Sequence, residues 1–248
     1  MSSPKNWFDQ GGQAYARFRP EYPPELAEFL ASIAPDTQLA VDAGCGNGQL
    51  AGQLAKYFSS VTGLDPSADQ LTHAAPQANV TYLCAPAEGM PLPDRSASLV
   101  TAAQAAHWFD LPAFYAEVRR VAMPSAVLAL ISYGVLQLDA ELDARFQQFY
   151  WQEIGPYWPA ERRLVDSGYA TLDFPFESIA SPAMLIRLDW NLNEFLGYIA
   201  TWSAVRQAQE AGRADILHRF ASDLAQTWGD AESRRSISWP INMRVGRV

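Results

Sequence analysis

The chain has 248 residues, enough to bury a substantial core, and 49% of them are hydrophobic, so it reads as globular rather than disordered. A formal net charge of −9 disfavours a nucleic-acid partner, whose phosphates need a basic surface, and two cysteines, Cys45 and Cys84, are too few for a disulfide framework. The three histidines (His73, His107, His218) lack metal-ligand spacing, no leader-like apolar segment follows Met1, and no apolar run is long enough to span a membrane, so the expectation is a cytoplasmic protein with no resident metal and no membrane partner.

An aromatic stretch opens the chain, Trp7-Phe8-Asp9 and then Tyr15-Ala16-Arg17-Phe18-Arg19-Pro20. Pro23 and Pro24 set up a helix start, and the helix runs to about Ile33. Residues 38–43 form the first strand, Ala43-Gly44-Cys45-Gly46-Asn47-Gly48 a tight turn, and about 47–57 a helix. The glycines let the main chain turn sharply and let a ligand lie against it, and the helix start adds unpaired N–H groups. A dinucleotide fingerprint, G-x-G-x-x-G, would seat a pyrophosphate here. This chain instead spaces its glycines G-x-G-x-G, with Gln49 in the last place. Asp42, at the end of the strand, is decisive. A carboxylate at the loop mouth repels phosphate and suits a cationic ligand with an amino group, such as S-adenosylmethionine with its sulfonium and α-ammonium. Asp65 ends the second strand (60–65), about 20 residues on, where an acid can hold ribose hydroxyls. Asp65-Pro66-Ser67 caps a helix from about Ser67 to Ala75, and Gln70 in its first turn faces either the ribose or solvent.

The third strand is Val80 to Cys84, with Cys84 buried as a reduced thiol. Pro91, Pro93 and Asp94 make a surface turn, and Ser98 to Ala103 is the fourth strand. Gln104 to Asp110 closes that strand at its carboxyl end, the edge where open α/β sheets bind ligands. Leu111 to Val121 is a helix, Met123-Pro124-Ser125-Ala126 a turn, and Ala126 to Ser132 the fifth strand, which delivers Tyr133 to the ligand edge. The alternation breaks after Leu136. A helix over Asp139 to Trp151 leads to a rigid aromatic loop, Gly155-Pro156-Tyr157-Trp158-Pro159. Glu161-Arg162-Arg163 starts a short helix, Gly168 to Phe176 is irregular, and Phe176 to Trp190 holds a strand pair. Helices over Leu192 to Ala211 and Arg213 to Thr227 precede a last strand, Ile237 to Val245. The divisions are an N-terminal lid segment and helix (1–34), a cofactor-binding core (35–135), a helical cap with one core strand (136–235) and the last strand (236–248).

Asp42 to Gly48, Asp65, Ala87-Glu88 and Gln104 to Trp108, in that order, resemble the class I S-adenosylmethionine-dependent methyltransferases of the type 11 group. The resemblance implies an α/β, Rossmann-like fold: a seven-stranded, mostly parallel sheet with helices on both faces and a helical cap inserted late. It implies S-adenosyl-L-methionine held by Asp42, Gly44, Cys45, Gly46 and Gly48, by Asp65, Pro66, Ser67 and Gln70, and by Ala87, Glu88, Gln104 and Ala105. Relatives carry an acid for the adenine amino group where this chain has Pro86, which leaves the adenine to the backbone of Ala87 and to Glu88. They also carry a Pro-Gly-Gly turn before the fifth strand, lost here at a connection remote from the cofactor. Their N-terminal segment closes over the cofactor. By that likeness Tyr15 offers a hydroxyl and Arg19 a fork for the methionyl carboxylate, with plain packing as the alternative.

His107 and Trp108 then wall the substrate mouth, and His107 is the nearby histidine if a base is required; a satisfied histidine beside a packed aromatic is the alternative. Phe8 to Pro24, the His107-Trp108-Phe109-Asp110 run and the ending Trp239 to Arg247 resemble the trans-aconitate and related small-acid branch, which implies O-methylation of a small carboxylic acid. Tyr133, Tyr157, Trp158, Arg162 and Trp202 are the expected substrate residues, with Arg163, Tyr198 and Arg206 beside them. Paired arginines among rings can hold a carboxylate, and solvated helix charges are the alternative. A carboxylate acceptor needs no base at neutral pH, whereas a phenol or thiol benefits from one. The competing readings are a methyltransferase for a phenol, amine or lipid-like metabolite, a nicotinamide dehydrogenase, and a non-catalytic S-adenosylmethionine-binding protein.

Overall fold

The computed structural model describes residues 20–248; Tyr15 and Arg19 lie outside the described residues. Pro24 opens helix α1 (Pro24–Ile33), whose buried face is Leu26, Ala27 and Leu30, spaced for one side of a helix. Short apolar runs then alternate with helices: β1 (Leu39–Ala43), α2 (Gln49–Leu54), β2 (Ser60–Asp65), α3 (Ala68–Thr72), β3 (Val80–Cys84), β4 (Ala97–Ala103), α4 (Leu111–Val121) and β5 (Ala122–Tyr133). Three further strands, β6 (Glu177–Ser178), β7 (Met184–Trp190) and β8 (Arg235–Arg247), complete an eight-stranded sheet. Its order is β3-β2-β1-β4-β5-β8-β6, with β7 also paired to β8.

The pairs β1–β2, β2–β3, β1–β4 and β4–β5 are parallel, and β8 runs antiparallel to β5 and β6. The apolar runs of β4 and β5 are buried almost throughout, as a parallel sheet covered on both faces requires. Strand order reverses between β1 and β4. The register sets Asp42 beside Thr101 on one side and Gly63 on the other. That switch point is where an open α/β sheet leaves a crevice at the carboxyl ends of its strands.

The chain forms two compact units. The first comprises Glu21–Gly134, Arg163–Met184 and Ile241–Val248. Its main core joins β1, β4 and β5 to Phe114, Tyr115, Val118 and Val121 of α4 and to Val165, Tyr169 and Leu172. The second takes in Val135–Arg162 and Leu185–Pro240, with helices α5 (Ala140–Gln148), α7 (Leu192–Ala200), α8 (Ser203–Glu210) and α9 (Asp215–Trp228); α6 is Arg162–Asp166. The second unit's core is aromatic. Phe149 stacks on Phe220 with centroids 3.9 Å apart, and Phe146, Phe195 and Trp228 are fully buried around them.

Several expectations are corrected. Cys84 is exposed rather than buried, because β3 is the edge strand and the residue lies at its end. Met123-Pro124-Ser125-Ala126 is not a turn but part of the start of β5, where a register shift against β4 and a φ of +65° at Ser125 absorb the irregularity. The helix expected over 192–211 breaks at Thr201–Trp202. Trp202 is extended there and buries its ring among Phe149, Trp158 and Tyr198. Among the described residues, no helix is long and apolar enough to cross a membrane.

Candidate cofactor and acceptor site

Asp42 is 1% exposed. Its Oδ1 accepts the Thr101 hydroxyl at 2.8 Å, while Oδ2 is buried and accepts no well-formed hydrogen bond. Burial outweighs the Thr101 bond and the weaker pull of the Ala51 N–H, and pushes the carboxyl up to about 7. Asp65 is a bracket. Its Oδ2 accepts the Gly46 N–H at 2.9 Å and its Oδ1 accepts the Ser67 N–H at 2.8 Å, which ties the glycine turn to the end of β2. Burial raises its pKa against those two bonds. Ser67 accepts the Gln70 N–H and caps α3, and the Gln70 side chain is buried, which settles against a solvated residue. Pro66 between them is exposed.

The three loop glycines are required for different reasons. All have positive φ (68°, 55° and 80° at Gly44, Gly46 and Gly48). A Cβ on Gly44 would stand 2.5 Å from Ala105 Cβ, and one on Gly48 would overlap the Tyr82 hydroxyl. At Gly46 the nearest atom would be Gln70 Oε1 at 3.8 Å. Gly46 is therefore the open position, and Gly44 and Gly48 are close packing. Within the loop three N–H groups are used internally: Cys45 donates to Leu64 O, Gly46 to Asp65 and Gly48 to Cys45 O. A loop whose donors turn inward beside a buried, half-used carboxylate suits a cation and not a diphosphate. Burial beside Asp42 and Asp65 also pushes the Cys45 thiol far up, so it stays protonated.

At the end of β4, Gln104 takes φ +54° and donates from its side chain to Tyr133 O at 3.2 Å. Ala105 is buried against Gly44, and Ala106–Trp108 make one 3-10 turn. His107 Nδ1 lies 2.9 Å from the Tyr169 hydroxyl, and Trp108 is 37% exposed beside it, ring centroids 4.8 Å apart. Ala87 is buried, and Glu88 Oε1 accepts the Asp110 N–H at 2.9 Å, so its carboxylate anchors the turn into α4. Tyr133 is buried, with its ring 6.1 Å from Tyr22. Thr101 and Tyr169 were not foreseen. Thr101 reads as an ordinary strand residue until register sets it beside Asp42, and Tyr169 lies in a stretch without periodicity.

The second unit holds the other expected residues. Arg162 Nε donates to the Tyr150 hydroxyl at 3.0 Å, and its guanidinium lies 4.7 Å from the Trp158 ring centre. Trp158 stands 5.2 Å from Trp202, which is buried and immediately precedes α8. Tyr157 is half-buried in the turn Gly155–Tyr157. Arg163, the other arginine of the expected pair, is exposed. Among the described residues, no three histidine, cysteine, aspartate or glutamate side chains cluster as a metal site.

A glycine turn bracketed by two buried acids at the switch point of a mostly parallel sheet defines a Rossmann-like α/β protein built for a nucleoside that carries positive charge. Residues 41–130 match the methyltransferase domain family. The chain is 33% identical over 257 residues, all of it and 98% of the relative, to a Dictyostelium discoideum protein named as a methyltransferase. A solved structure from Anaeromyxobacter dehalogenans, described as a type II methyltransferase, is 44% identical and superposes with a TM-score of 0.87 over 93% of this chain and 98% of that one. A shorter match, 37% over 114 residues (44% of this chain, 41% of the relative), is to a malonyl-[acyl-carrier protein] O-methyltransferase of Dechloromonas aromatica. The chain belongs to the class I S-adenosylmethionine-dependent methyltransferases.

Proposed function

We propose that this enzyme methylates an oxygen of a small carboxylic acid. S-adenosylmethionine, when bound, supplies a methyl group already activated on a positively charged sulfur. The observation that carries the binding site is Asp42 Oδ2, a buried acceptor without a well-formed hydrogen bond. In this reading it takes the cationic end of the methyl donor, and the lone pairs of Asp65 not used by Gly46 and Ser67 take ribose hydroxyls. Gly46 gives the open main chain, Gln70 closes over it, and Gln104 and Ala105 line the methionine side. The adenine rests on the backbone at Ala87 and on Glu88, of which one oxygen, Oε1, accepts the Asp110 N–H.

His107 and Trp108 face the acceptor. A carboxylate is nucleophilic when ionised, so positioning and exclusion of water suffice. That matches a β4 edge whose one titratable ring is already tied to a tyrosine. The O-methyltransferase name of one relative, matched over 44% of this chain, favours the same chemistry.

The test uses methyl-labelled S-adenosylmethionine with pools of carboxylic acids, phenols and amines. Calorimetry is run in parallel on the donor, its demethylated product and a nicotinamide dinucleotide. We expect the donor and its product to bind, the dinucleotide not to bind, and the label to enter a product that releases methanol in alkali, as an ester does. Label stable to alkali would transfer the assignment to phenols or amines.

A further inference from the structure

The ending of the chain, Trp239 to Arg247, is singled out by resemblance and holds none of the cofactor residues named above. In the first unit it braces one tyrosine. Asn242, paired with Ser132 on β5, lies so close to Gly168 that a Cβ there would stand 2.8 Å from Asn242 Cγ. Arg244 donates from Nη1 to the carbonyls of Tyr169 at 3.1 Å and Ala170 at 3.3 Å, with its guanidinium 5.2 Å from the Phe174 ring centre. Between these two holds, Gly168 and Tyr169 both adopt left-handed backbone, φ +63° and +61°. For a bulky residue that conformation is strained and persists only where its surroundings impose it. The result is a fully buried tyrosine whose hydroxyl meets His107 Nδ1 at 2.9 Å.

Which of the two donates decides what the histidine can do. A phenol is a good donor and a weak acceptor, because the oxygen lone pair is delocalised into the ring. With Tyr169 donating, Nδ1 of the neutral ring is the acceptor and the ring proton resides on Nε2. We infer that Tyr169 is a positioning residue that holds neutral His107 as the Nε2–H tautomer, so that the ring offers the methyl acceptor a hydrogen-bond donor and not a base. No proton is transferred to His107 in this scheme. The acceptor must therefore arrive already deprotonated, which selects carboxylates over neutral phenols and thiols. The kinetic part of the inference rests on the proposal that His107 faces the acceptor; the tautomer itself does not.

The experiment is nitrogen-15 NMR of the full chain labelled in histidine, at a pH about two units above the ordinary imidazole value near 6.5, with His107→Gln assigning the signal. The expected wild-type spectrum shows His107 protonated on Nε2, and Tyr169→Phe shifts it toward a tautomer mixture. In turnover, Tyr169→Phe should lower kcat/KM for the acid between about threefold and about tenfold, the range for one lost hydrogen bond. Calorimetric affinity for S-adenosylmethionine should change by less than about twofold. A wild-type ring protonated on Nδ1 overturns the inference without any variant, as does a spectrum unchanged by Tyr169→Phe. Wild-type protein that fails to bind S-adenosylmethionine overturns the proposed function instead, and the spectrum still judges the tyrosine–histidine pair.

Discussion

Asp42 keeps one oxygen on Thr101 and the other without a well-formed hydrogen bond, and its burial raises the carboxyl from 3.8 to about 7. Between those two values the folded protein holds a proton that the unfolded chain has released. Stability of the ligand-free protein must therefore fall as pH rises from about 4 to about 7 and level off above. Asp65, raised in the same direction, adds to the slope. Each pKa unit corresponds to about 1.4 kcal/mol, so the total decline is on the order of a few kcal/mol. Urea unfolding at a series of pH values should show it, and Asp42→Asn should flatten most of it. Affinity for S-adenosylmethionine should run the other way, rising up to about tenfold per pH unit over the same window, because a cationic ligand needs the carboxylate ionised. A wild-type affinity independent of pH would remove Asp42 from the cation site. Asp42 and Asp65 were legible in the sequence because each ends an apolar run beside turn residues. That Glu88 accepts the Asp110 N–H and that Arg163 groups with the first unit are not legible, because local sequence does not reveal which backbone N–H or which unit a surface charge will meet.

For the loop between β1 and α2, glycine count alone is a poor guide to role. Gly44→Ala and Gly48→Ala each add strain at positive φ to an overlap with Ala105 or Tyr82, and each should cost on the order of 2–4 kcal/mol in urea unfolding. Gly46→Ala meets only Gln70 Oε1 at 3.8 Å and should cost about 1–2 kcal/mol, the backbone strain alone. Its main effect should appear in calorimetry as lost donor affinity, since a methyl group then occupies the open face. Equal loss of stability in all three variants would contradict the division. The strands β1 to β4 lie within a residue of the runs read from sequence, since turn glycines and prolines bound them. The break at Trp202 was not readable: helical periodicity continues through it, and the ring's burial among distant aromatics ends the helix.

Taken as a whole, the first unit is assembled from three stretches of chain. β8 covers the edge of β5 from Val127 to Tyr133, and Val165, Tyr169 and Leu172 fill the core beside α4. A fragment of residues 21–134 retains the cofactor residues named above except Tyr15 and Arg19, but exposes that strand edge and loses that packing. We expect residues 21–134 expressed alone to aggregate and to lack cooperative unfolding, as judged by size exclusion and circular dichroism. A monomeric fragment that binds S-adenosylmethionine would show that the later segments are dispensable to the unit.

What the sequence by itself determined is whatever adjacent residues can encode: the apolar runs, the turn glycines and the acids placed where a strand gives way to a loop, which together specify a parallel α/β sheet and a cationic nucleoside. Only the tertiary structure decided which donors those acids keep for themselves, which glycines are open and which tyrosine holds His107. Those outcomes depend on pairing between β1 and β4, and between β5 and β8, across separations of about 60 to about 120 residues. A local pattern carries no information about a neighbour that only strand register supplies.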